Sequence, residues 1–282
     1  MWARMASGAA VAIRRLSRLP VGSQVACGQP APHCFAVCLV ALVLAACSSP
    51  PLSAPLTEAV ACLPRDTQAV AGIYPERIRG KESFTRLPPT WSFVLDPFRN
   101  APLVLLAYNG SDLLVIASGR FASAPPGVVL LTPQLAIGGS PAAIRAATRQ
   151  HATGRTGVPD LVAQAAKVIN RDLWAVVRGS TRLPLPGNSA NLNRLLALTD
   201  YIAASATWDS AIRLEADSYC AAPESALHLE ERLRALVTLA SSAAKAPDLA
   251  SLLSSIELRR DGSVVHLTLL ASPQAVQELL GF

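Results

Sequence analysis

The sequence predicts an α+β fold made of two similar halves, each an antiparallel sheet with helices on one face. Three observations lead to this prediction. Short apolar segments of strand length recur along the chain. Two neighbouring pairs of these segments are joined by Asn109-Gly110 and Asp261-Gly262, which are typical hairpin turns. The same order of segments also occurs twice, so we expect two related units in which helices cover antiparallel sheets.

The strands are predicted from alternation of apolar and polar residues, or from short apolar runs, between turn residues. LVLLAY, which starts at Leu103, is a run of the apolar kind, whereas SVVHLTLL, which starts at Ser263, partly alternates. The predicted strands cover residues 68–74, 103–108, 112–118, 128–131, 134–138, 172–178, 200–207, 211–219, 255–259 and 263–270.

The longest predicted helix runs from Glu224 to about Lys245. Glu230 stands four residues before Arg234, a spacing that places opposite charges side by side on a helix. An apolar stripe at helical spacing indicates one buried side. The stripe consists of Leu229, Leu233, Leu236, Val237 and Ala240.

The recurrence is clearest where a hairpin leads into a helix. LLTPQLAIGGSPAAI parallels LRRDGSVVHLTLLASPQAV, and in both segments a Ser-Pro pair suits the N-cap and first position of a helix, at Ser140 and Ser272. DTQAVAG parallels DLWAVVRG, and AYNGS parallels ATWDS. We therefore predict halves at 61–155 and 156–282, with a helical insertion at about 223–254 in the second.

The segment AIRLEADSYC has two contrasting sides. Because successive strand residues point to opposite faces, Ile212, Leu214, Ala216 and Cys220 are expected to face the core. The alternate residues, Arg213, Glu215, Asp217 and Tyr219, are then expected to form a polar face that meets solvent or a partner.

The charge distribution argues against nucleic acid as a partner. The net charge is +6, but four arginines, at positions 4, 14, 15 and 18, precede the body of the protein, and without them 21 basic residues stand against 19 acidic ones. The remaining basic residues form no cluster interleaved with aromatic residues, which is the usual footprint of phosphate-backbone binding.

The amino-terminal segment has the order of a secretory signal. An arginine-bearing, acid-free stretch precedes the apolar residues 35–46, FAVCLVALVLAA, which are too short for a membrane span of about 20 residues. Small residues and a cysteine follow, in the order Leu44, Ala45, Ala46 and Cys47.

These four residues resemble the lipobox of bacterial lipoprotein signals. The resemblance implies cleavage before Cys47 and acylation of Cys47, so that residues 1–46 are a signal peptide and residues 47–60 a lipidated tether. Several acyl chains hold a protein stably on a membrane. Ser48 after the cysteine favours, by the same resemblance, the periplasmic face of the outer membrane in a Gram-negative cell.

Two cysteines, Cys62 and Cys220, remain in the predicted body besides the acylated one. In an oxidising compartment such a pair suggests a disulfide that would tie the two halves together. The alternative is two small buried thiols, since free cysteine packs like a small apolar residue. Neither cysteine has the spacing of a metal or redox site.

The segment from Arg86 to Pro102 gathers three aromatic residues, Trp91, Phe93 and Phe98, in a proline-bearing connection. They are either a plug of the core beneath a loop or a contact for a partner or ligand, because aromatic residues on loops are frequent recognition anchors.

No motif in the chain predicts catalysis, a metal or a cofactor. GGSPA places a proline after Ser140 where a nucleophile elbow needs a backbone N–H, so Ser140 is better explained as a helix cap. Ser242 and Lys245 have the spacing of penicillin-binding serine enzymes, but the accompanying motifs are absent. The histidines His151, His228 and His266 show no metal or triad spacing.

The sequence thus predicts a lipid-anchored, extracytoplasmic protein of the bacterial envelope that binds a partner without catalysing a reaction. Its expected partners are the membrane, through acyl chains on Cys47, and an envelope protein. The alternatives are a carrier or sensor of an apolar small molecule held between the two halves and, third, a hydrolase whose catalytic residues are far apart in sequence. An enclosed apolar cavity would favour the carrier, and a cleft with histidine, acid and serine would favour the hydrolase.

Overall fold

The computed structural model describes residues 53–79, 96–98, 100–124, 127–183, 189–209, 211–244 and 247–272. Ten strands form one continuous antiparallel sheet, and helices accompany it, so the α+β prediction is confirmed. The prediction of a separate sheet in each half is wrong. The first strands of the two predicted halves, Ala69–Ile73 and Leu173–Arg178, pair with each other and join all the strands into a single sheet.

All ten strands lie within two residues of their predicted bounds. The turns between hairpin strands follow the expected chemistry, since Gly110 and Gly262 have φ of +103° and +56°. At the first turn, the Asn109 side chain accepts hydrogen bonds from the N–H groups of Ser111 and Asp112, at 3.0 and 2.7 Å. The strands are β1 (Ala69–Ile73), β2 (Leu103–Tyr108), β3 (Leu113–Ser118), β4 (Val128–Thr132), β5 (Leu135–Gly139), β6 (Leu173–Arg178), β7 (Tyr201–Trp208), β8 (Ile212–Tyr219), β9 (Glu257–Asp261) and β10 (Val264–Ala271).

The strand order across the sheet is β4-β5-β3-β2-β1-β6-β7-β8-β10-β9. The two central strands are β1 and β6. Outward from them the order is β1-β2-β3-β5-β4 on one side and β6-β7-β8-β10-β9 on the other, so each half places its fifth strand before its fourth. The predicted boundary at 155/156 falls in the connection that follows β5 and leads toward β6. Both outer ends of the sheet are hairpins, β4 with β5 and β9 with β10.

Helices connect and cover the strands. Pro55 and Pro159 stand in the first turn of the two helices that precede β1 and β6, where the missing N–H of proline is tolerated. The helices are α1 (Ala54–Val60), α2 (Pro75–Ile78), α3 (Pro141–His151), α4 (Pro159–Ala165), α5 (Ser189–Leu196), α6 (Pro223–Ala243) and α7 (Pro247–Ser254), with a 3-10 turn at Asp96–Phe98.

Several helix predictions can be compared with these bounds. Ser140 caps α3, because its hydroxyl accepts a hydrogen bond from the N–H of Ala143 at 3.1 Å. The insertion predicted at about 223–254 corresponds to α6 and α7, between β8 and β9. The helix predicted after Ser272 lies outside the described residues. In the described part of the chain, no helix is both long and apolar enough to cross a bilayer.

The tether predicted over residues 47–60 is too long. Residues 54–60 form α1, and three of its residues, Leu56, Ala59 and Val60, are buried in the core. Their spacing of three and four residues places them on one side of a helix, which outweighs the polar, proline-bearing composition of the segment. Residues 54–60 of the predicted tether therefore belong to the folded body.

One face of the sheet, called here the helical face, packs against α1, α3 and α4. Its central strands contribute apolar residues such as Val70, Leu105, Ile116 and Trp174, and the helices contribute Leu56, Ala59, Ala143, Ala147 and Leu161. Trp174 is only 1% exposed. This cluster is the main core of the protein.

The other face of the sheet is covered differently in its two parts. Around β1 to β3 it packs against Ile78 of α2 and against Phe98, whose ring meets Phe121 edge to face at 6.4 Å. Around β8 to β10 it packs against α6 and α7, for example through Leu229 and Leu252. Helices thus lie on both faces, whereas the sequence predicts helices on one face only.

Helix α6 packs against the sheet through its first half only. Leu229 is 2% exposed, whereas Leu236 and Leu239, farther along, are 39% and 66% exposed, so the predicted stripe is buried only in part. Arg234 donates hydrogen bonds to the Glu230 carboxylate at 2.7 Å and to the carbonyl of Leu258, in β9, at 2.9 Å. These bonds fasten the helix to the outermost strand.

Candidate functional site

The helical face changes from apolar to ionic along its length. Residues directly opposite one another in neighbouring strands form rows across the sheet, and two such rows, on this face, show the change at β7 to β8. One row runs Val129, Ile137, Ile116, Leu105, Gly72, Trp174, Ser205, Glu215, Thr268 and Glu257. The next runs Gly139, Leu114, Ala107, Val70, Val176, Ala203, Asp217, His266 and Arg259.

Three polar contacts follow one another along β8 on this face. Glu215 accepts a hydrogen bond from Nη2 of Arg171 at 3.0 Å. Oδ1 of Asp217 lies 2.7 Å from Nδ1 of His266, its cross-strand neighbour. The Tyr219 ring carries the ammonium group of Lys167 at 3.9 Å from its centroid. The polar face that the sequence predicts on this strand is therefore present, and it is organised by partners from other elements.

Lys167 and Arg171 are positioned by the turn that follows α4. Ile169, between them, is buried in the main core, and the N–H of Arg171 donates to the carbonyl of Val168 at 3.0 Å. These contacts hold the intervening backbone against the sheet, so the two long side chains extend over the ionic end of the helical face.

The start of α4 is fastened to the sheet by a second polar cluster. Asp160 accepts hydrogen bonds from Arg178 at 3.0 Å and from the Tyr201 hydroxyl at 2.9 Å. Burial acts to raise the pKa of Asp160, but the hydrogen bond from Tyr201 and the charge of Arg178 outweigh it, so its pKa is lowered. The carboxylate is thus ionised when it anchors the helix.

Lys167 and Arg171, together with polar residues of β7, β8 and β10, line a cleft of about 280 Å³, called here the ionic cleft. Ser205 in its floor is only 5% exposed, whereas the charged side chains are partly open to solvent. The cleft is lined by Lys167, Val168, Arg171, Ala203, Ser205, Glu215, Asp217, His266, Leu267 and Thr268.

The charged groups of the cleft keep unused hydrogen-bonding capacity. A carboxylate can only accept, so Nδ1 of His266 donates to Asp217. Nε2 is then a lone-pair acceptor in the neutral ring and a donor in the imidazolium. Within the described residues, no oxygen accepts a hydrogen bond from the ammonium group of Lys167, whose neighbour is the Tyr219 ring.

This arrangement is suited to binding and lacks the connections of a catalytic triad. An Asp-His pair activates a hydroxyl only through a hydrogen bond to it. Ser205 and Thr268 lie in the neighbouring row, and in the part of the chain described, neither hydroxyl bonds to His266. Among the same residues there is also no group of three or more histidine, cysteine or acidic side chains that could hold a metal ion.

The other residues considered for catalysis cap a helix, bond within a helix or lie at a helix end or surface. Ser140 is the cap of α3, and the hydroxyl of Ser242 donates to the carbonyl of Leu239 at 2.9 Å within α6. His151 ends α3, and His228 lies 3.6 Å from Glu231 on the surface of α6. Lys245 lies outside the described residues.

Of the three aromatic residues expected to form a core plug or a contact surface, Phe98 lies within the described residues. Phe98 is 3% exposed and packs against Phe121, so at this position the structure has the core plug, the first of the two alternatives. Its ring packs in the apolar cluster that contains Ile78, Val104 and Val115, and burial removes it from any partner. Trp91 and Phe93 lie outside the described residues, as does Cys47.

Cys62 and Cys220 are both free, buried thiols, the alternative to a disulfide. Cys62 belongs to the core of the helical face and Cys220 to the cluster beneath α6 on the other face, so the sheet lies between them. Burial, and to a smaller extent the charge of Glu58, raises the pKa of Cys62 to about 12. Burial also raises the pKa of Cys220, with a smaller effect of Asp200.

The junction of the two halves is a continuous stretch of the sheet. Strands β1 and β6 are directly paired there, and the Trp174 ring lies over Gly72. A groove of about 330 Å³ does occur elsewhere, on the surface beside α5 and α6, where Leu236 and Leu239 are flanked by Arg194 and Arg232. It is open to solvent and does not lie between the halves.

Comparisons with known proteins add little to these observations. No family model and no curated protein matches the chain. A solved structure, described as "Structure of crystal form I of TP0453", shares 9% sequence identity, and the similarity covers 79% of this chain and 96% of that one with a TM-score of 0.43. We base no conclusion about function on a similarity of this size.

Proposed function

We propose that this protein is a lipid-anchored, extracytoplasmic binding protein of a bacterial envelope, and that the ionic cleft is its binding site. The observation that supports the site is the change of side-chain character along the helical face. From β5 to β7 this face is mainly apolar and buried under α1, α3 and α4, with Arg178 and Ser205 as polar exceptions, whereas from β8 outward it carries several charges.

A sheet face open to water also carries polar residues, so polarity alone would not identify a site. The cleft differs from such a face because it has a wall and a floor. Lys167 and Arg171 reach over it from the turn after α4, and Ser205 is almost fully buried in its floor. A few polar groups that converge on a concave space are typical of ligand sites.

The strand order supports a proposal about origin. We propose that the two halves are copies of one ancestral unit, because both run first, second, third, fifth, fourth strand outward from the centre. In the first half, Ile116 and Ile137 occupy the third and fifth strands beneath α3. In the second half, Asp217 and His266 occupy the corresponding strands. One copy would then have kept a structural core where the other acquired a binding site.

The anchoring proposal rests on the lipobox resemblance at Cys47. The start of α1 then limits how far the folded body can lie from the bilayer. Because α1 begins at Ala54, only residues 48–53 would separate the acylated cysteine from the folded body. A fully extended chain spans at most about 3.3–3.6 Å per residue, so the body would lie within roughly 20 Å of the bilayer. We place it on the periplasmic face of the outer membrane.

Mass spectrometry of the protein from a Gram-negative host tests the anchor. We expect the mature chain to begin at Cys47 and to carry acyl chains. A control in which residues 1–47 are replaced by an ordinary cleavable secretory signal should appear in the soluble periplasmic fraction. An unmodified Cys47, with residues 1–46 still attached in the native chain, would disprove the anchor.

The binding site is tested by thermal stabilisation of the purified body in an envelope extract separated by dialysis. The retained fraction contains macromolecules, and the dialysate contains small molecules. We expect one fraction to raise the melting temperature of the native protein and of the surface control Arg149→Met, but not that of Lys167→Met. Stabilisation that is equal in all three proteins, or absent in all, would contradict the assignment of the cleft.

A further inference from the structure

We infer that the ionic cleft binds a small zwitterion, a molecule of amino-acid size that carries both an ammonium and a carboxylate group. This inference rests on the proposed function and names the ligand class for the same site. It follows from the signs of the charges in the cleft, their unused hydrogen-bonding capacity and the size of the space.

The cleft presents both signs of charge in equal number, apart from the histidine. Lys167 and Arg171 are cations, and Glu215 and Asp217 are acids. A ligand with one sign would be attracted by half of these groups and repelled by the other half, because close charges in a partly desolvated site interact strongly. A ligand with both signs can place each charge beside its opposite.

Asp217 and Lys167 are the groups with the most capacity left for such a ligand. The Asp217 carboxylate uses Oδ1 for His266. Lys167 is held by the Tyr219 ring, so its ammonium keeps three donors available for a carboxylate. Tyr219 and Asp217 are successive residues on this face of β8, about 6.6–6.8 Å apart along the strand. One small molecule can therefore reach the anion and the cation together.

The remaining pair sets the limits of the site. Arg171 and Glu215 neutralise each other at 3.0 Å and form the far end of the cleft. A space of about 280 Å³ lies just below the usual range of ligand pockets, which suits a molecule of amino-acid size. The two carboxylates also oppose a phosphate ligand, whose charge is negative only.

Ligand-observed saturation-transfer NMR with two pools of probes tests the inference. The first pool contains the twenty standard amino acids in equal amounts. The second contains compounds of a single sign: acetate, propionate, succinate, methylamine and putrescine. We expect signals from at least one amino acid and none from the second pool. The inference is wrong if no amino acid binds, or if single-sign compounds bind equally well.

Four variants assign the binding to the cleft. We expect Lys167→Met and Asp217→Asn each to weaken the binding of the amino acid at least about tenfold, because each leaves one ligand charge unpaired. Arg149→Met and Asp209→Asn change charges of the same sign on exposed positions outside the cleft and should bind normally. Equal binding by all variants would overturn the inference.

Folding of each variant is checked by circular dichroism. If Asp217→Asn loses its structure together with the His266 contact, Lys167→Met decides, because Lys167 is exposed and its only described partner is the Tyr219 ring. The outcome also separates this inference from the proposed function. Should retained macromolecules stabilise the protein through the cleft while no amino acid binds, the ligand class is wrong and the binding site stands.

Discussion

A single methyl group at Gly72 tests how the two halves are joined. Gly72 lies in β1 directly opposite Trp174 in β6, and a Cβ atom at position 72 would overlap the indole ring. Trp174 is 1% exposed and cannot turn out into solvent without opening the main core. Gly72→Ala should therefore destabilise the whole protein, although alanine is otherwise easily accepted in a strand.

The expected size follows from the packing. Extra methyl groups in a well-packed core cost about 1–3 kcal/mol, and the direct overlap with a rigid, buried ring places Gly72→Ala at the upper end, about 3 kcal/mol. In a domain of this size each kcal/mol lowers the melting temperature by roughly 2–4 °C, so a decrease of about 6–12 °C is expected.

The assay is urea unfolding of a soluble form that starts at Ser48, followed by tryptophan fluorescence and far-UV circular dichroism. Gly138→Ala is the matched control, because its Cβ would find its nearest neighbours at an ordinary 3.8 Å and should change stability by less than about 0.5 kcal/mol. The linear dependence on urea then gives the free energy of unfolding for each variant.

A double variant isolates the contact itself. Trp174→Leu alone leaves a cavity, but together with Gly72→Ala the new methyl group occupies part of that space. The two changes should therefore be less destabilising together than the sum of the single changes, by at least about 1 kcal/mol. Additive effects, or a Gly72→Ala protein as stable as the native one, would refute the packing described at this junction.

Two further predictions concern ionisable groups. The hydrogen bond from Arg234, with help from Arg260, lowers the pKa of Glu230 below its ordinary 4.5, so the stabilisation is present above that value and disappears as the pH falls through the lowered pKa. Glu230→Gln should thus cost about 0.5–1 kcal/mol at neutral pH and nothing in acid, as measured by urea unfolding; a cost independent of pH would contradict this. At about pH 8, Cys62, with a pKa of about 12, should react with an aromatic disulfide reagent roughly 10³-fold more slowly than a thiol at the ordinary 9.0, and Cys220 should also be slow. Both should react rapidly in denaturant, and rapid reaction of the folded protein would disprove their burial.

The strands could be predicted closely because their signals are local. Alternation and turn residues such as Gly110 and Gly262 define each hairpin within the segment itself. The union of the halves could not be predicted in this way. It depends on the pairing of Ala69–Ile73 with Leu173–Arg178, about a hundred residues later. The sequence of neither strand indicates which strand it pairs with.

Helix α1 was missed because its signal is short and mixed. Pro55 suits the polar, proline-bearing composition of a tether, but proline is also favoured in the first turn of a helix. Leu56, Ala59 and Val60 have helical spacing, but three small or medium apolar residues in seven fit many patterns. Tertiary packing against the sheet decides the outcome.

The candidate site could be predicted from the sequence only in part. The polar side of β8 was visible in its alternation, so Glu215 and Asp217 could be placed on one face. Their partners could not, since His266 joins Asp217 only through the register of β8 with β10. Arg171 reaches Glu215 from a turn 44 residues earlier in the chain, a contact that spacing alone does not reveal.

The central position of β1 has a consequence for the order of events during synthesis. Until Leu173–Arg178 has emerged, the hydrogen-bonding edge of Ala69–Ile73 has no partner strand on that side. An apolar strand with a free edge readily pairs with other chains. Contacts between segments so distant in sequence also form slowly. A nascent chain is thus vulnerable for the time that about a hundred residues take to appear, and we expect it to depend on holding chaperones during that interval.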